Sequence, residues 1–390
     1  MLRYCTAGES HGRCLAGILE GLPSGMAVDV DFINAQLRRR QLGYGRGRRM
    51  QIEKDRIEIT AGVRHGKTLG SPISFTIENK DWDAWRIPMS ADVVPEDAAL
   101  RSVTRPRPGH LDLAGALKHQ THDVRDVLER ASARETAARV AIGSVCRLFL
   151  LNFNIRVASH VLAVGRARAP SALKKMTIDE IFAVNAESPL RCADARIERE
   201  MMALIDEAVK DGDTLGGIAE VVAAPVPPGL GSHTQWDRRL DGRLAQALMS
   251  IPAVKAVEIG NGIAAARQVG SRVHDEIFYD EERRRFFRKS NNAGGLEGGV
   301  TNGADLRVRI FVKPIPTLRK PLMSVDLITK KPSSAAFERS DTCVVPAAGV
   351  VAEAMVSIVL AGAFLEKFGG DSLAEVRANF ANYERLLTEF

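Results

Sequence analysis

Aromatic residues make up only 5% of this 390-residue chain, and a single tyrosine, Tyr44, interrupts its densest run of arginine. The stacking platforms that single-stranded nucleic acid requires are therefore missing, and no nucleic-acid partner is expected. No continuous run of roughly 18 apolar residues stands out, so no membrane span is expected either. The N-terminus lacks a basic region followed by an apolar stretch ending in small residues, which makes the expected location cytoplasmic. The five cysteines, Cys5, Cys14, Cys146, Cys192 and Cys343, are odd in number and widely scattered. That spacing suits neither a disulfide framework nor a zinc site.

What is present is enough apolar sequence for a real core: 45% hydrophobic against 26% charged residues suits one large or two ordinary domains. The net charge of +6 is modest, but it is unevenly placed. "RRRQLGYGRGRR" holds Arg38, Arg39, Arg40, Arg46, Arg48 and Arg49 with no acid among them. A solvated face or a nucleic-acid patch would account for the charge alone. Gly43, Gly45 and Gly47 favour a loop that approaches a ligand closely while guanidinium forks grip carboxylate or phosphate. A small polyanion is the better match.

The chain also resembles itself at an offset of 200 residues. Gly17-Ile18 and Glu20 recur as Gly217-Ile218 and Glu220, and Ile57-Glu58-Ile59, Gly62 and Leu69-Gly70-Ser71 recur as Val257-Glu258-Ile259, Gly262 and Val269-Gly270-Ser271. At a slightly larger shift "RPRPG" meets "KPIPT", Glu129-Arg130 meets Glu338-Arg339, and "AARVAIGSV" meets "AAGVVAEAM". The order is kept throughout, so duplication explains the matches better than chance. The halves span about residues 1–155 and 205–368 of one domain covering 1–390, joined by a segment starting near Arg156.

Period-two alternation predicts strands in "RIEITAGV", "SPISFTIE", "GIAEVVAA" and "LRVRIFV". Ala, Val, Leu and Ile dominate Arg134 to Leu151 and Pro346 to Leu365, predicting two long helices buried on most of their circumference. Strands come in clusters rather than alternating with helices. The expected fold class is therefore α+β, a layered sandwich of helices between antiparallel sheets built from two pseudo-symmetric halves.

Candidate chemistry collects at a few loops. "GESHG" packs an acid, a hydroxyl and the imidazole of His11 between two glycines; alone, it reads equally as a tight turn. In "RPRPGH" two prolines and a glycine fix the backbone before His110. His119 and His122 lack a third ligand nearby and read as exposed, while His65, His160, His233 and His274 read as structural or exposed. Ser132 followed by Glu135 has capping-box spacing, and Arg130 and Arg134 flank the helix start it would open. That start is either an anion site or an ordinary capped surface helix. Asp341 stands where Ser132 stands in the first half. "NNAGGLEGGVTNG" and "VKPIPTLRK" complete the set, with Lys313 expected to face the His110 loop.

Taken in order, "GESHG", "RRRQLGYGRGRRM", "RPRPGH", "RASARETAARVAIG", "DTLGG", "VEIGNG", "NNAGGLEGG", "KPIPT" and "RSD" resemble the chorismate synthase family over nearly the whole chain. The resemblance implies conversion of 5-enolpyruvylshikimate 3-phosphate to chorismate and phosphate, with reduced FMN required but not consumed, in a homotetramer. It implies that His11 protonates the departing phosphate beside Ser10, that His110 serves the flavin near N1, and that Asp341 assists proton removal from C6. Arg48, Arg49, Arg107 and Arg134 would grip the substrate, together with Arg339. FMN contacts would come from Arg130, Ala131, Ser132, Pro252, Ala253, Gly298, Lys313, Pro314, Ile315, Pro316, Thr317 and Arg339, while Arg40 and Arg46 match positions assigned to NADPH. Pro252 replaces the family's usual amide side chain, which leaves only a backbone contact there. A flavin oxidoreductase would use the same loops but consume reductant with each turnover; an RNA-binding protein would leave His11, His110 and Asp341 without work.

Overall fold

The computed structural model describes residues 1–47, 54–170, 175–338 and 340–390. Four of its strands form a first sheet, in the spatial order Arg3–Ala7, Cys14–Glu20, Ile73–Glu78, Ile57–Ala61. Every neighbouring pair is antiparallel. A second antiparallel sheet runs Val254–Ile259, Leu306–Val312, Gly217–Ala224, Arg156–Val164 and the short Ala167–Arg168. The four alternating stretches of sequence are all strands here; Ile73–Glu78 buries alternate residues, whereas Gly217–Ala224 and Leu306–Val312 are buried on both faces along most of their length, with Glu220 paired to Arg307 and Arg309.

Between the sheets lie two long helices. Thr136–Leu151 packs on Cys14–Glu20 from one side, and Val345–Phe368 packs on Arg156–Val164 and Gly217–Ala224 from the other. These two helices also pack on each other, with Val30–Gln41 and Leu240–Met249 against the second of them. Gly143 permits the central crossing: a Cβ there would stand 2.4 Å from Ala354 Cβ. Val345–Phe368 is long and apolar enough to cross a membrane, with a mean hydropathy of 2.1 in its most apolar window, although Glu353 breaks the apolar run. Of that window 94% is buried inside the fold, so it serves as the core helix.

One buried charge interrupts that helix. Glu353 is wholly buried and accepts hydrogen bonds from Arg39 at 2.7 and 2.9 Å, from Arg147 at 2.8 Å, and from Ser159 N and Oγ at 2.8 and 2.7 Å. Burial alone would raise its pKa, but the two guanidiniums prevail and hold it down to about 2. Its anion thereby ties the Val30–Gln41 helix, both central helices and the second sheet at one point.

The strands aligned by the 200-residue offset occupy similar places in their sheets. Cys14–Glu20 and Ile57–Ala61 flank one intervening strand, as do Gly217–Ala224 and Val254–Ile259. Two expectations are corrected. The segment after Arg156 is no mere connection, since Arg156–Val164 is an inner strand of the second sheet. Beyond Gly62 and Gly262 the two windows diverge: Val63–Arg64 and Lys67–Thr68 make a small hairpin, whereas Gly262–Ala265 is a helical turn. Glu258 supplies the cause by accepting from Ile263 N at 2.9 Å, while Glu58 faces solvent.

Candidate active site

His11 sits in the turn that joins Arg3–Ala7 to Cys14–Glu20. Gly8 makes the turn possible, with φ of +105° and no room for a side chain, because a Cβ would lie 2.4 Å from Cys14 O. Asn79 fastens it from below, its Nδ2 donating to Glu9 O at 3.1 Å and Gly12 O at 2.7 Å. Glu129, from the Arg125–Ala131 helix, accepts from His11 N at 2.8 Å and meets His11 Nδ1 at 2.9 and 3.0 Å. Burial pushes the Glu129 carboxyl up, but hydrogen bonds from His11 and Arg125 hold it below the usual carboxylate range.

From this turn two runs of polar contacts lead away, one to Glu338 and one to Asp341, which the chain itself joins. Glu129 binds Arg125 at 3.0 Å, and Arg125 reaches Glu338 at 3.0 Å. Three residues on, Asp341 accepts from Arg46 at 2.7 Å and Gly47 N at 2.6 Å. Arg46 Nη2 touches Arg40 O at 3.5 Å, and Arg40 pairs with Asp55 at 3.5 Å. Asp55 is gripped by Arg134 at 2.6 and 2.8 Å, and Arg134 Nε donates to Asn79 at 2.9 Å, returning to the His11 turn. Burial lowers the Arg40 pKa to about 10, and among the described residues its Nε has no hydrogen-bond partner.

His110 belongs to a second cluster. Its Nδ1 forms a short hydrogen bond with Asp112, which also accepts from Arg107 N at 3.0 Å, Nε at 2.7 Å and Nη2 at 3.0 Å. Burial works against the Asp112 anion, but its bonds to His110 and Arg107 hold its carboxyl well below the usual range. Arg107 also donates to Thr317 Oγ1 at 2.9 Å, and Lys313 Nζ donates to Gly109 O. The Lys313 loop therefore does meet the His110 loop. Ala253 anchors that loop through its carbonyl, which accepts from Lys313 N at 2.9 Å, while Ser340 Oγ, 3.5 Å from Thr317 O, links it to the Asp341 segment.

The expected site residues thus fall into distinct groups. His11, Ser10, Arg130, Ala131, Ser132 and Arg134 converge at the first turn: Ser132 Oγ lies 3.2 Å from Ser10 Oγ, and Arg130 donates to Thr6 O, Thr6 Oγ1 and Gly8 O. Pro314, Ile315 and Pro316 lie between Lys313 and Thr317 in the loop that meets His110, and Pro252 precedes the Ala253 anchor. Arg40 and Arg46 face inward along the run to Asp341. Gly298 belongs to a separate small hairpin, held to the Leu240–Met249 helix by Leu240 N to Gly299 O at 2.9 Å. Arg48, Arg49 and Arg339 lie outside the described residues.

The capping box at Ser132 does not form. Ser132 Oγ accepts from Arg134 N and opens a 3-10 turn, while Glu135 turns away to Arg139 at 3.0 Å. His119 and His122 are exposed as expected, and His160 is a buried structural histidine 3.0 Å from Glu220. Glu129, Asp112, Asp55, Asn79 and Trp85 escaped the sequence reading. Only Glu129 left a usable trace, its alignment with Glu338; Arg125 binds both.

The chorismate synthase family model matches residues 2–365. The chain belongs to the chorismate synthase family. A chorismate synthase from Solibacter usitatus is 55% identical over 98% of both chains, and one from Moorella thermoacetica is 56% identical over all of both. A solved crystal structure of chorismate synthase superposes with a TM-score of 0.80 at 43% identity, covering 100% of this chain and 99% of that one. The chain is accordingly an enzyme of the lyase class. The match to chorismate synthases spans both sheets and the helices between them, so the two clusters lie within the matched region.

Proposed function

We propose that the protein catalyses the anti-1,4-elimination of phosphate from 5-enolpyruvylshikimate 3-phosphate, giving chorismate, with reduced FMN as cofactor. The observation that carries this reading is the set of paired guanidiniums and carboxylates that leads away from the His11 turn on both sides, through Arg125 and through Arg134. Arg130 at the His11 turn and Lys313 at the His110 loop bind carbonyl and hydroxyl oxygens and pair with no carboxylate among the described residues. Their charge, with the buried Nε of Arg40 that lacks a partner among the described residues, fits a ligand bearing several negative groups. The substrate has two carboxylates and a phosphate.

The same donor set fits FMN. Arg130, Ala131 and Ser132, the Ala253 carbonyl turn, Gly298, the Lys313 to Thr317 loop and Arg339 would hold it. When bound, reduced FMN supplies electron density to the breaking carbon–oxygen bond and is recovered unchanged. His11 gives its proton to the departing phosphate, which would otherwise leave as a more basic anion. Asp112 fixes the His110 imidazole and keeps a negative charge behind it. Asp341, oriented by Arg46 and Gly47 N, helps remove the C6 proton. Arg48, Arg49, Arg107, Arg134 and Arg339 complete the proposed substrate grip; of these, Arg107 and Arg134 also brace Asp112 and Asp55.

An anaerobic assay tests the reading. One reduced flavin per enzyme should support many molecules of chorismate, and oxidised FMN none. Formation that stops at one chorismate per flavin would make this an ordinary redox enzyme. Adding NADPH and FMN in air, with no separate reductase, tests whether the protein reduces its own flavin through the contacts proposed at Arg40 and Arg46. A homotetramer is part of the proposal, supported by the exposed Ile277, Tyr279, Phe286 and Phe287 of one hairpin. Light scattering of the eluted protein reads its mass directly.

A further inference from the structure

Glu129 holds the His11 turn in three ways. Its carbonyl accepts from Ser10 N at 3.0 Å, and its carboxylate accepts from His11 N and engages His11 Nδ1. That carboxylate is 2% exposed, against 13% for the imidazole. On the imidazole's flat face, Trp85 stacks with ring centroids 4.0 Å apart and an interplanar angle of 22°. The guanidiniums of Arg101 and Arg125 sit 4.4 and 5.0 Å from the Trp85 ring.

We propose that Glu129 is a positioning residue for the reaction: by occupying His11 Nδ1 it fixes the ring and leaves Nε2 to face the leaving phosphate, with a carboxylate charge directly behind the imidazole that gives up the proton. The inference rests on the reading of His11 as the acid of a phosphate elimination. An imidazole can donate from either nitrogen, and the partner of one nitrogen decides what the other does. Backbone fastening would need only an oxygen at His11 N. The second contact, at Nδ1, is where charge matters.

The surrounding charges fit that role. Glu129 faces His11 from the Arg125–Ala131 helix, Arg101 and Arg125 stand beyond Trp85, and Glu9 lies in the same turn. Arg125 shares Glu129, which on its own would draw negative charge away from His11. Glu338 offsets this by binding the other end of the same guanidinium. The four groups form a line, His11, Glu129, Arg125 and Glu338, with alternating charge when His11 is protonated.

The test compares Glu129→Gln, which keeps an oxygen for His11 N but removes the charge, with Glu129→Asp, which keeps the charge. Both are made in full-length enzyme carrying Trp82→Phe and Trp236→Phe, so that fluorescence reports Trp85 against His11. In Glu129→Gln the pH midpoint of the Trp85 signal and the alkaline limb of kcat should both move down by about one pH unit. kcat at neutral pH should fall about tenfold, with KM within twofold and Glu129→Asp retaining more activity. Should Glu129→Gln fail to fold, Glu338→Gln releases Arg125 onto Glu129 and should shift both curves the same way by less. If the Trp85 midpoint and the kcat limb stay with the parent in the folded variant, the positioning role is wrong. A parent enzyme that makes no chorismate at any pH would instead overturn the proposed function.

Discussion

Arg46 and Asp341 are 295 positions apart in sequence, yet Nη1 of one lies 2.7 Å from Oδ2 of the other, with only 8% and 18% of their side chains exposed. The carboxylate assigned to C6 deprotonation is thus aimed by an arginine from the glycine-rich run. Arg46→Ala should leave Asp341 with Gly47 N as its one partner among the described residues and lower kcat on the order of tenfold with a smaller change in KM. Steady-state assays under anaerobic conditions give both constants; an unchanged kcat would detach Arg46 from the chemistry.

The His11 proton matters mainly once the carbon–oxygen bond begins to break, so its loss should fall on kcat rather than on binding. His11→Ala is expected to keep its affinity for FMN and substrate while kcat drops roughly 10²- to 10⁴-fold. Wild-type turnover in this variant would end the acid assignment.

Asp112 is the hidden member of the His110 cluster. Because its carboxyl is held far below the usual range, it stays ionised at any pH at which the enzyme is assayed. Asp112→Asn removes the charge between Arg107 and His110 and should weaken FMN binding by roughly tenfold, the cost of one charged hydrogen bond. Flavin titration by fluorescence measures it, with retained native affinity as the contrary result.

Glu353 governs acid stability. Its folded pKa of about 2 lies below the ordinary value of 4.5, so its contribution is fully present above about pH 4.5 and is lost as pH falls toward 2. Glu353→Gln would strand Arg39 and Arg147 and should cost about 3–5 kcal/mol at neutral pH. Denaturant melts across the pH range should show the gap to wild type narrowing from pH 4.5 downward; a gap independent of pH would contradict the linkage.

Much of the scaffold was written locally. Alternation in "GIAEVVAA" and "LRVRIFV" marks strands because each residue's facing follows from the backbone repeat, and the Ala- and Val-rich stretches after Thr136 and Val345 mark core helices because no polar face interrupts them. Glycine and proline likewise exposed the turns at His11 and His110, since φ restrictions act on single residues. Local signals also misled where a distant partner competed. Glu135 has capping-box spacing from Ser132, but Arg139 captures its carboxylate, and Glu258 ends the likeness to the first half by capping a turn.

The sequence by itself therefore determined four of the strands, the two core helices, and which loops carry imidazoles and guanidiniums; family membership was already legible in the order of its motifs. Tertiary structure alone decided the pairings: Glu129 with His11, Asp55 with Arg134, Asp341 with Arg46, and Arg125 between Glu129 and Glu338. The reason is physical. Backbone preference and periodicity act over a few residues, whereas an ion pair depends on where two sheets and the helices between them bring distant side chains, at distances no spacing in the chain encodes.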